Sequence, residues 1–192
     1  LEGGISFSGI VEADELLMKY SEKGRKFKNK EEYRKAKRKK HPKVAVLVVT
    51  DREGNLLFKQ VGEKKVKNEQ LRDELKSRLS ENNLICVKPK KEFRKGVKGL
   101  QSKKVIVNKR QIKRGIYSVK IVENKISDFK TWLSRFHGVA TKYLQSYLMW
   151  FVIMNKYLKE LIDPDIGRLL NLSSHDRWAW DKYREIVSQR YD

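Results

Sequence analysis

A glutamate and a lysine seven residues apart are the first pair in this sequence that could act together. Glu123 and Lys130 lie in the segment 122–148, whose apolar residues recur at three- and four-residue steps, the spacing of a helix packed against a core. The five core positions predicted in this way are Val122, Ile126, Phe129, Leu133 and Phe136. Seven residues are nearly two helical turns, so both side chains project from one face, opposite the apolar stripe. Taken alone, the pair is also explained as an ordinary charge pair on a solvated helix face.

Two basic tracts indicate a second chemistry, the neutralisation of phosphate groups. The tract 23–43 holds twelve Lys and Arg with two acids, and the tract 88–114 holds twelve with Glu92 as its single acid. A cation that contacts a phosphate releases counterions, so affinity for nucleic acid should fall steeply with salt. Positive charge positions a backbone without reading sequence, and an ordinary solvated surface remains the simpler alternative. The candidate DNA-binding residues are Lys35, Lys37, Arg38, Lys39, Lys40, Lys90, Lys91, Arg94, Lys95, Lys109, Arg110, Lys113, Arg114, Lys130 and Lys142.

The overall composition points to the same partner. The 192 residues include 45 Lys and Arg against 24 Asp and Glu, a net charge of +21, which favours DNA, most simply double-stranded and bound through its backbone. No apolar run is long enough to span a bilayer, so no membrane partner is expected. A single cysteine, Cys86, excludes an internal disulfide and a cysteine-rich zinc site. We expect a cytoplasmic, nucleoid-associated protein if the source is bacterial, or a nuclear one if it is eukaryotic.

The elements that must position these residues predict an α/β domain. Strand patterns cover 5–17, 44–49, 56–61, 84–87 and 104–108, and the turn residues 51–55 predict a hairpin between the second and third of these strands. Helical patterns cover a segment capped by Asn68, then 122–136 and 141–161 with a break at Gly138. This order predicts a mixed sheet with helices on its faces. The tract 23–43 has almost nothing apolar to anchor it and is expected to be a mobile insertion, whereas 88–114 should fold against the core. Residues 163–192 are expected to form a C-terminal helical extension.

Several motifs resemble the catalytic domain of a family of bacterial insertion-sequence DDE transposases, the relatives of the eukaryotic Merlin elements. They occur in the family's order over about residues 5–155, and GVATKYL at 138–144 is the most specific of them. The motifs are IVEADE at 10–15 with SEKG at 21–24, VVTDREG at 48–54, LIC at 84–86, KRGIY at 113–117 and WLSRFHGVATKYL at 132–144. The family's upstream zinc ribbon and helical DNA-recognition region are not matched, so we expect an isolated catalytic domain or a shortened relative.

The resemblance implies an RNase H-like fold over residues 1–162, a mixed sheet flanked by helices with a C-terminal helical tail. It also implies DNA cleavage and strand transfer by two Mg²⁺ or Mn²⁺ ions, chemistry that needs carboxylates converging from separate elements. By motif position, Asp14 is the first of these acids and Glu123 is the third. Lys130 matches the family lysine that contacts a phosphate near the reacting bond. Members of the family act as oligomers, so a homodimer or larger assembly is expected.

The second acid of the family motif is missing. The family places an aspartate followed by a glycine after the strand 84–87, and this sequence has Lys88 and Pro89 there. Lysine has no metal-binding oxygen, and its ammonium repels Mg²⁺. Glu92 is the alternative acid. Because Asp14 and Glu123 would repel each other without a cation, we predict a salt bridge from Lys88 to one or both of them and no metal; Asp14 and Glu123 are the expected ligands only if the site is active.

Three functional interpretations follow. The favoured one is a domesticated pseudoenzyme: a transposase-derived domain with an incomplete triad that binds DNA as a structural or regulatory component. The second is an active Mg²⁺-dependent transposase. The third is a protein-interaction module that uses the C-terminal aromatics, Trp178 and Trp180.

Overall fold

The computed structural model describes residues 5–38, 41–108 and 113–161, with 37, 113–114 and 157–161 described by their backbone alone. Residues up to Val152 form one compact unit, and Ile153 begins a second. The elements are β1 (Ile10–Met18), α1 (Lys30–Arg38), β2 (Val44–Asp51), β3 (Leu56–Glu63), α2 (Asn68–Lys76), β4 (Leu84–Val87), α3 (Lys91–Lys98), β5 (Lys103–Ile106), β6 (Lys113–Arg114), β7 (Tyr117–Ser118), α4 (Lys120–Ser134), a 3-10 helix (Thr141–Tyr143) and α5 (Leu144–Leu161).

Five strands form a mixed sheet in the order β3-β2-β1-β4-β5. β1 and β2 pair antiparallel, as do β2 and β3, whereas β1, β4 and β5 run parallel. The Asp51 carboxylate accepts hydrogen bonds from the backbone N–H groups of Glu53 and Asn55 and so closes the predicted β2–β3 hairpin. This sheet and its helices confirm the predicted fold class, an RNase H-like α/β architecture.

Both faces of the sheet are covered by helices. All eight residues of β2 are buried, as expected for a strand with helices on either side. On one face, α2 and α3 pack over an aliphatic core that includes Val11, Ala13 and Leu71. A Cβ at Gly96 of α3 would lie 2.7 Å from the Leu71 side chain, so a glycine allows these two helices to approach closely.

The opposite face carries α4 and the beginning of α5. The buried stripe of α4 contains Val122, Ile126, Phe129, Trp132 and Leu133, so four of the five predicted core positions are buried, together with Trp132. Phe136, the fifth, lies beyond the helix and is half-buried. Phe129 packs against the rings of Phe58 from β3 and Phe151 from α5, with ring centroids 5.1 Å and 5.3 Å away.

Several local features differ from the sequence prediction. Asn68 is the first residue of α2 rather than its cap, and the N-cap is Lys67, whose backbone N–H donates to the Gln70 side chain. The short strands β6 and β7 and the helices α1 and α3 were not predicted. Helix α1 lies inside the tract 23–43, where Asn29 caps it by accepting a hydrogen bond from the Glu32 backbone N–H. The mobility of that tract stays a prediction.

The C-terminal extension, 163–192, and its predicted boundary after residue 162 lie outside the described residues. Within the ranges that are described, no helix combines the length and the apolar character needed to cross a membrane.

Candidate functional site

The alternation of side chains along β1 sets the site on the α4 side of the sheet. Asp14 pairs with Val48 of β2, and Glu12 pairs with Cys86 of β4. Val11 and Ala13, the alternate residues, belong to the opposite core. Lys88 follows Cys86 by two residues, just beyond the end of β4, so the same alternation directs it to the side of Asp14.

Lys88 bridges the two acids that the sequence pattern singled out. Its Nζ lies 2.6 Å from Oδ2 of Asp14 and 2.5 Å from Oε1 of Glu123. The Asp14 side chain is 5% exposed, whereas those of Lys88 and Glu123 are 29% and 33% exposed. The predicted salt bridge is therefore present and involves both carboxylates. The position between Asp14 and Glu123 is taken by an ammonium group.

A second lysine, Lys90, reaches the same aspartate. Its Nζ lies 2.8 Å from Oδ1 of Asp14 and 3.0 Å from Oε1 of Glu15. Each oxygen of Asp14 is thus bound by a different ammonium group. The sequence analysis placed Lys90 only among the DNA-binding candidates, a role that stays a prediction. The signal that was missed is its spacing: Lys90 follows Lys88 across Pro89, at the point where the chain leaves β4 and begins α3.

Burial and charge act in opposite directions on the ionisation of this cluster. Burial raises the pKa of Asp14, but hydrogen bonds from Lys88 and Lys90 outweigh it, and the pKa lies below its usual value. Burial likewise lowers the pKa of Lys88, and hydrogen bonds to Asp14 and Glu123 more than offset it, so the pKa lies above its usual value. Both groups are therefore held in their charged forms at neutral pH.

Glu12 positions the helix that carries Glu123. Its carboxylate is fully buried. It accepts hydrogen bonds from the backbone N–H groups of Ile121 and Val122 and from the Ser118 hydroxyl, at 2.8, 3.1 and 2.6 Å. A carboxylate at this place satisfies free N–H groups of the first turn and interacts favourably with the helix dipole. Nothing in the sequence pattern predicted this capping role.

Glu92, the alternative acid, lies outside this cluster because it forms an ion pair with Lys65. Among the described residues, no group of three or more His, Cys, Asp or Glu side chains is arranged to hold a metal ion. Cys86, the neighbour of Glu12, is buried, and burial raises the pKa of its thiol to about 11.

The other candidate DNA-binding residues lie on several surfaces. Lys91, Arg94 and Lys95 are exposed on α3, and Lys35, Arg38, Lys130 and Lys142 are exposed elsewhere. Lys35 pairs with Glu31 of its own helix, and Lys142 lies over the ring of Tyr143. Lys39, Lys40, Lys109 and Arg110 fall outside the described residues, and Lys37, Lys113 and Arg114 are described by backbone alone. All of these contacts with DNA stay predictions.

The segment GVATKYL connects the end of α4 to the loop after β1. Gly138 adopts a left-handed backbone, with φ of 95°, which glycine tolerates without strain. The Thr141 hydroxyl accepts a hydrogen bond from the Ser21 backbone N–H, and the Thr141 N–H donates to the Ser21 carbonyl. The Lys23 ammonium donates to the carbonyls of Phe136, His137 and Gly138, as expected for a cation beyond a helix C-terminus. Two of the sequence motifs, SEKG and GVATKYL, therefore bind each other.

Comparison with known protein families identifies a match over most of the chain. The ISXO2-like transposase domain, a DDE transposase family, matches residues 6–154. This range contains β1, β4 and α4, the elements that carry or directly precede Asp14, Lys88 and Glu123. No curated protein matches the chain.

Proposed function

Because this chain belongs to the family of ISXO2-like transposase domains, we propose that it binds DNA but no longer cuts or joins it. In this proposal the domain keeps the DDE transposase fold and acts as a structural or regulatory component on DNA, alone or in a larger protein assembly. The observation that carries it is the Lys88 ammonium group within hydrogen-bonding distance of both Asp14 and Glu123. Lys88 takes the place that the family motif gives to the second catalytic aspartate.

The residues of this cluster do not fit a pair of magnesium ions. Such a pair requires several oxygen ligands converging on it, because Mg²⁺ accepts near-octahedral oxygen coordination. Here two carboxylates share one ammonium, and Asp14 is bound by a second from Lys90. An incoming Mg²⁺ ion would have to displace the ammonium groups of Lys88 and Lys90, whose backbone positions are fixed by the fold. The cluster is electrostatically satisfied without an ion.

The basic surface supports the other half of the proposal. The net charge of +21 exceeds what solubility requires. Arg94 and Lys95 are exposed on α3, next in sequence to the site. Cations of this kind bind the phosphate backbone with little regard to sequence. We therefore expect binding to duplex DNA that weakens linearly on a plot of log affinity against log salt.

Cleavage and strand-transfer assays test the loss of catalysis. The unmodified chain is incubated with labelled duplex DNA in Mg²⁺ and, separately, in Mn²⁺, and Asp14→Ala serves as the control for contaminating nucleases. We expect the same background with both proteins. Cleavage or joining by the unmodified chain that disappears in Asp14→Ala would overturn the proposal.

Replacing Lys88 by the aspartate of the family motif tests how much of the ancestral metal site survives. Lys88→Asp supplies the missing carboxylate, and Lys88→Asn removes the ammonium without supplying one. We expect Mn²⁺ binding, measured by calorimetry, to be undetectable in the unmodified chain and in Lys88→Asn. Mn²⁺ binding in Lys88→Asp alone would show that the rest of the site survives. Measurable Mn²⁺ binding to the unmodified chain, as tight as that of Lys88→Asp, would mean that Lys88 does not exclude the metal, contrary to the proposal.

One observation favours the alternative of an active transposase. Asp14 and Glu123 are held close enough for one Nζ to reach both, so the first and third acids of the motif have not separated. Activity would then require another acid beside them. Glu92 pairs with Lys65, Glu15 is held by Lys90, and Glu12 caps α4. The interaction-module interpretation rests on Trp178 and Trp180, which lie outside the described residues, and stays a prediction.

A further inference from the structure

A pocket of about 490 Å³ opens beside the loop that follows β1. Its walls include Tyr20, Phe27 and Tyr33, together with Arg25 and His41. A volume of this size lies in the range of roughly 300–1,000 Å³ that is usual for small-molecule sites. None of the residues assigned to the candidate site lines it.

Four of the nine described residues that line this pocket carry aromatic rings. Tyr20 and His41 are stacked, with centroids 4.3 Å apart and planes at 15°, and Phe27 meets Tyr33 edge-on at 5.4 Å. Tyr20 and Tyr33 are 37% and 48% exposed. Among the described residues, Tyr143 and Trp150 are exposed to a similar degree, so what sets Tyr20 and Tyr33 apart is that their exposed rings line one pocket. They can stack against a flat ligand.

The polar groups of the pocket offer both kinds of hydrogen-bonding partner. The Arg25 guanidinium lies 5.0 Å from the centroid of Phe27 and is held by the carboxylates of Glu22 and Glu32 at 2.9 Å and 3.0 Å. Carboxylate oxygens accept hydrogen bonds from ring amino groups, and guanidinium groups donate to ring carbonyls or to phosphate. Rings combined with donors and acceptors suit a nucleobase better than they suit a bare phosphate.

The pocket is built on an anchored loop. The Ser21 backbone N–H donates to the Thr141 hydroxyl and the Ser21 carbonyl accepts from the Thr141 N–H, and Lys23 donates to three carbonyls beyond α4. The other wall comes from α1, whose N-terminus is capped by Asn29. The start of this loop, next to Tyr20, is therefore held by contacts to the segment that follows α4, which lowers the entropic cost of ordering that wall around a ligand.

We propose that this pocket receives one unpaired nucleobase of DNA. This inference rests on the proposed function, DNA binding, and adds to it a preference for DNA with unpaired bases. A base inside a duplex has both faces stacked and cannot offer them to protein rings, whereas a base in single-stranded or extruded DNA can. The pocket thus makes the domain a binder of exposed bases as well as of phosphates, without requiring any reaction.

Affinity for two DNA forms tests this inference. The unmodified chain is titrated with a blunt duplex and with a single-stranded oligonucleotide of the same length that carries 2-aminopurine. Tyr33→Ala should weaken single-strand binding by roughly 5- to 100-fold, the range for loss of one base–aromatic stack, and leave duplex affinity unchanged. His41→Ala, at the opposite wall, should act in the same direction. Stacking should also quench the 2-aminopurine fluorescence, and Tyr33→Ala should reduce that quenching.

Two controls separate the ring from other effects. Tyr33→Phe keeps the ring and should keep single-strand affinity, and Tyr143→Ala removes an equally exposed ring that does not line the pocket. Equal affinity losses for both DNA forms, or none in either pocket variant, would overturn the inference. If the unmodified chain binds single strands through Tyr33 but does not bind duplex, the inference stands and duplex binding in the proposed function fails.

Discussion

Lysines in one basic tract occupy two different environments. Lys88 and Lys90 are directed inward and share the carboxylates of Asp14, Glu123 and Glu15. Four and five residues after Lys90, Arg94 and Lys95 are exposed on α3. The first pair continues the alternation of β4, whereas the second lies opposite the buried face of α3. The net charge of the tract therefore does not tell which of its residues bind DNA. Backbone geometry decides which cations pair with internal carboxylates and which are available to a partner.

The two groups should also differ in their energetics. An ion pair that is largely buried adds little net stability, but the loss of one partner leaves a desolvated charge and is costly. An exposed cation contributes almost nothing to folding. It does contribute to the salt dependence of nucleic-acid binding. Stability measurements should thus report on Lys88, and DNA titrations should report on Arg94 and Lys95.

The largest effect is expected for Lys88→Met. This change removes the cation that pairs with Glu123. It leaves Lys90 as the lysine still bound to Asp14, whose side chain is only 5% exposed. Removal of one partner from a fully buried ion pair lowers the free energy of unfolding by about 3–5 kcal/mol. Because Lys88 and Glu123 are partly exposed and Lys90 still binds Asp14, we expect a loss of about 2 kcal/mol. Chemical denaturation measures the change. Lys91→Met, an exposed lysine three residues away, should change the free energy of unfolding by less than about 0.5 kcal/mol.

A triple variant shows whether the cost is electrostatic. Adding Asp14→Asn and Glu123→Gln to Lys88→Met removes the unpaired charges, so stability should recover at least in part. If the triple variant is as unstable as Lys88→Met, Lys88 stabilises the fold through the packing of its methylene groups rather than through its charge.

The next effect is acid destabilisation through Asp14. Its pKa in the folded protein lies below the ordinary value of 3.8, so the unfolded chain binds more protons in the interval between the two values. Stability from this group is therefore present above the unfolded pKa and is lost as pH falls through the folded pKa. Denaturation between pH 5 and pH 2.5 should show a decline that is shallower in Asp14→Asn. Equal slopes in the two proteins would contradict the pairing of Asp14 with the two lysines.

Much of this arrangement could be predicted from residue types and spacing. The run VAVLVV and the hairpin turn after it identify β2 and β3 because period and turn chemistry are local signals. The Lys88 bridge was predictable because two like charges brought together by a fold need a cation. These predictions depend on short-range pattern or on charge balance, both of which a sequence contains.

Other features depend on contacts between distant segments. Glu12 caps α4 from 109 positions away in the chain, and no local signal near residue 120 indicates an acid there. Lys90 looked like its basic neighbours until the path after Pro89 was known. Helix α3 was not predicted because Gly96 and frequent lysines obscure its apolar positions, Phe93 and Val97. Long-range pairing, rather than residue type, decides such roles.

A smaller effect is expected in DNA binding by the α3 surface. Arg94→Gln and Lys95→Gln together should reduce the slope of log affinity against log salt by about 1.8, since each lost phosphate contact lowers it by about 0.9. Lys90→Gln serves as the matched control because it removes a neighbouring cation that is held internally. Its salt slope should stay unchanged. A reduction as large as that of the α3 variants would place Lys90 on the DNA-binding surface.

The smallest effect is expected at Lys35, which pairs with Glu31 on α1 at 2.8 Å with both side chains about three-quarters exposed. A solvated i, i+4 pair contributes about 0.3–0.5 kcal/mol at low salt, so Lys35→Met should lower the free energy of unfolding by no more than that. Repeating the denaturation in about 1 M salt should abolish this difference, because exposed charges are screened over a few ångströms. The cost of Lys88→Met should persist under the same conditions, since its carboxylate partner Asp14 is shielded from solvent ions. Equal salt sensitivity of the two variants would show that Lys88 behaves as a surface cation.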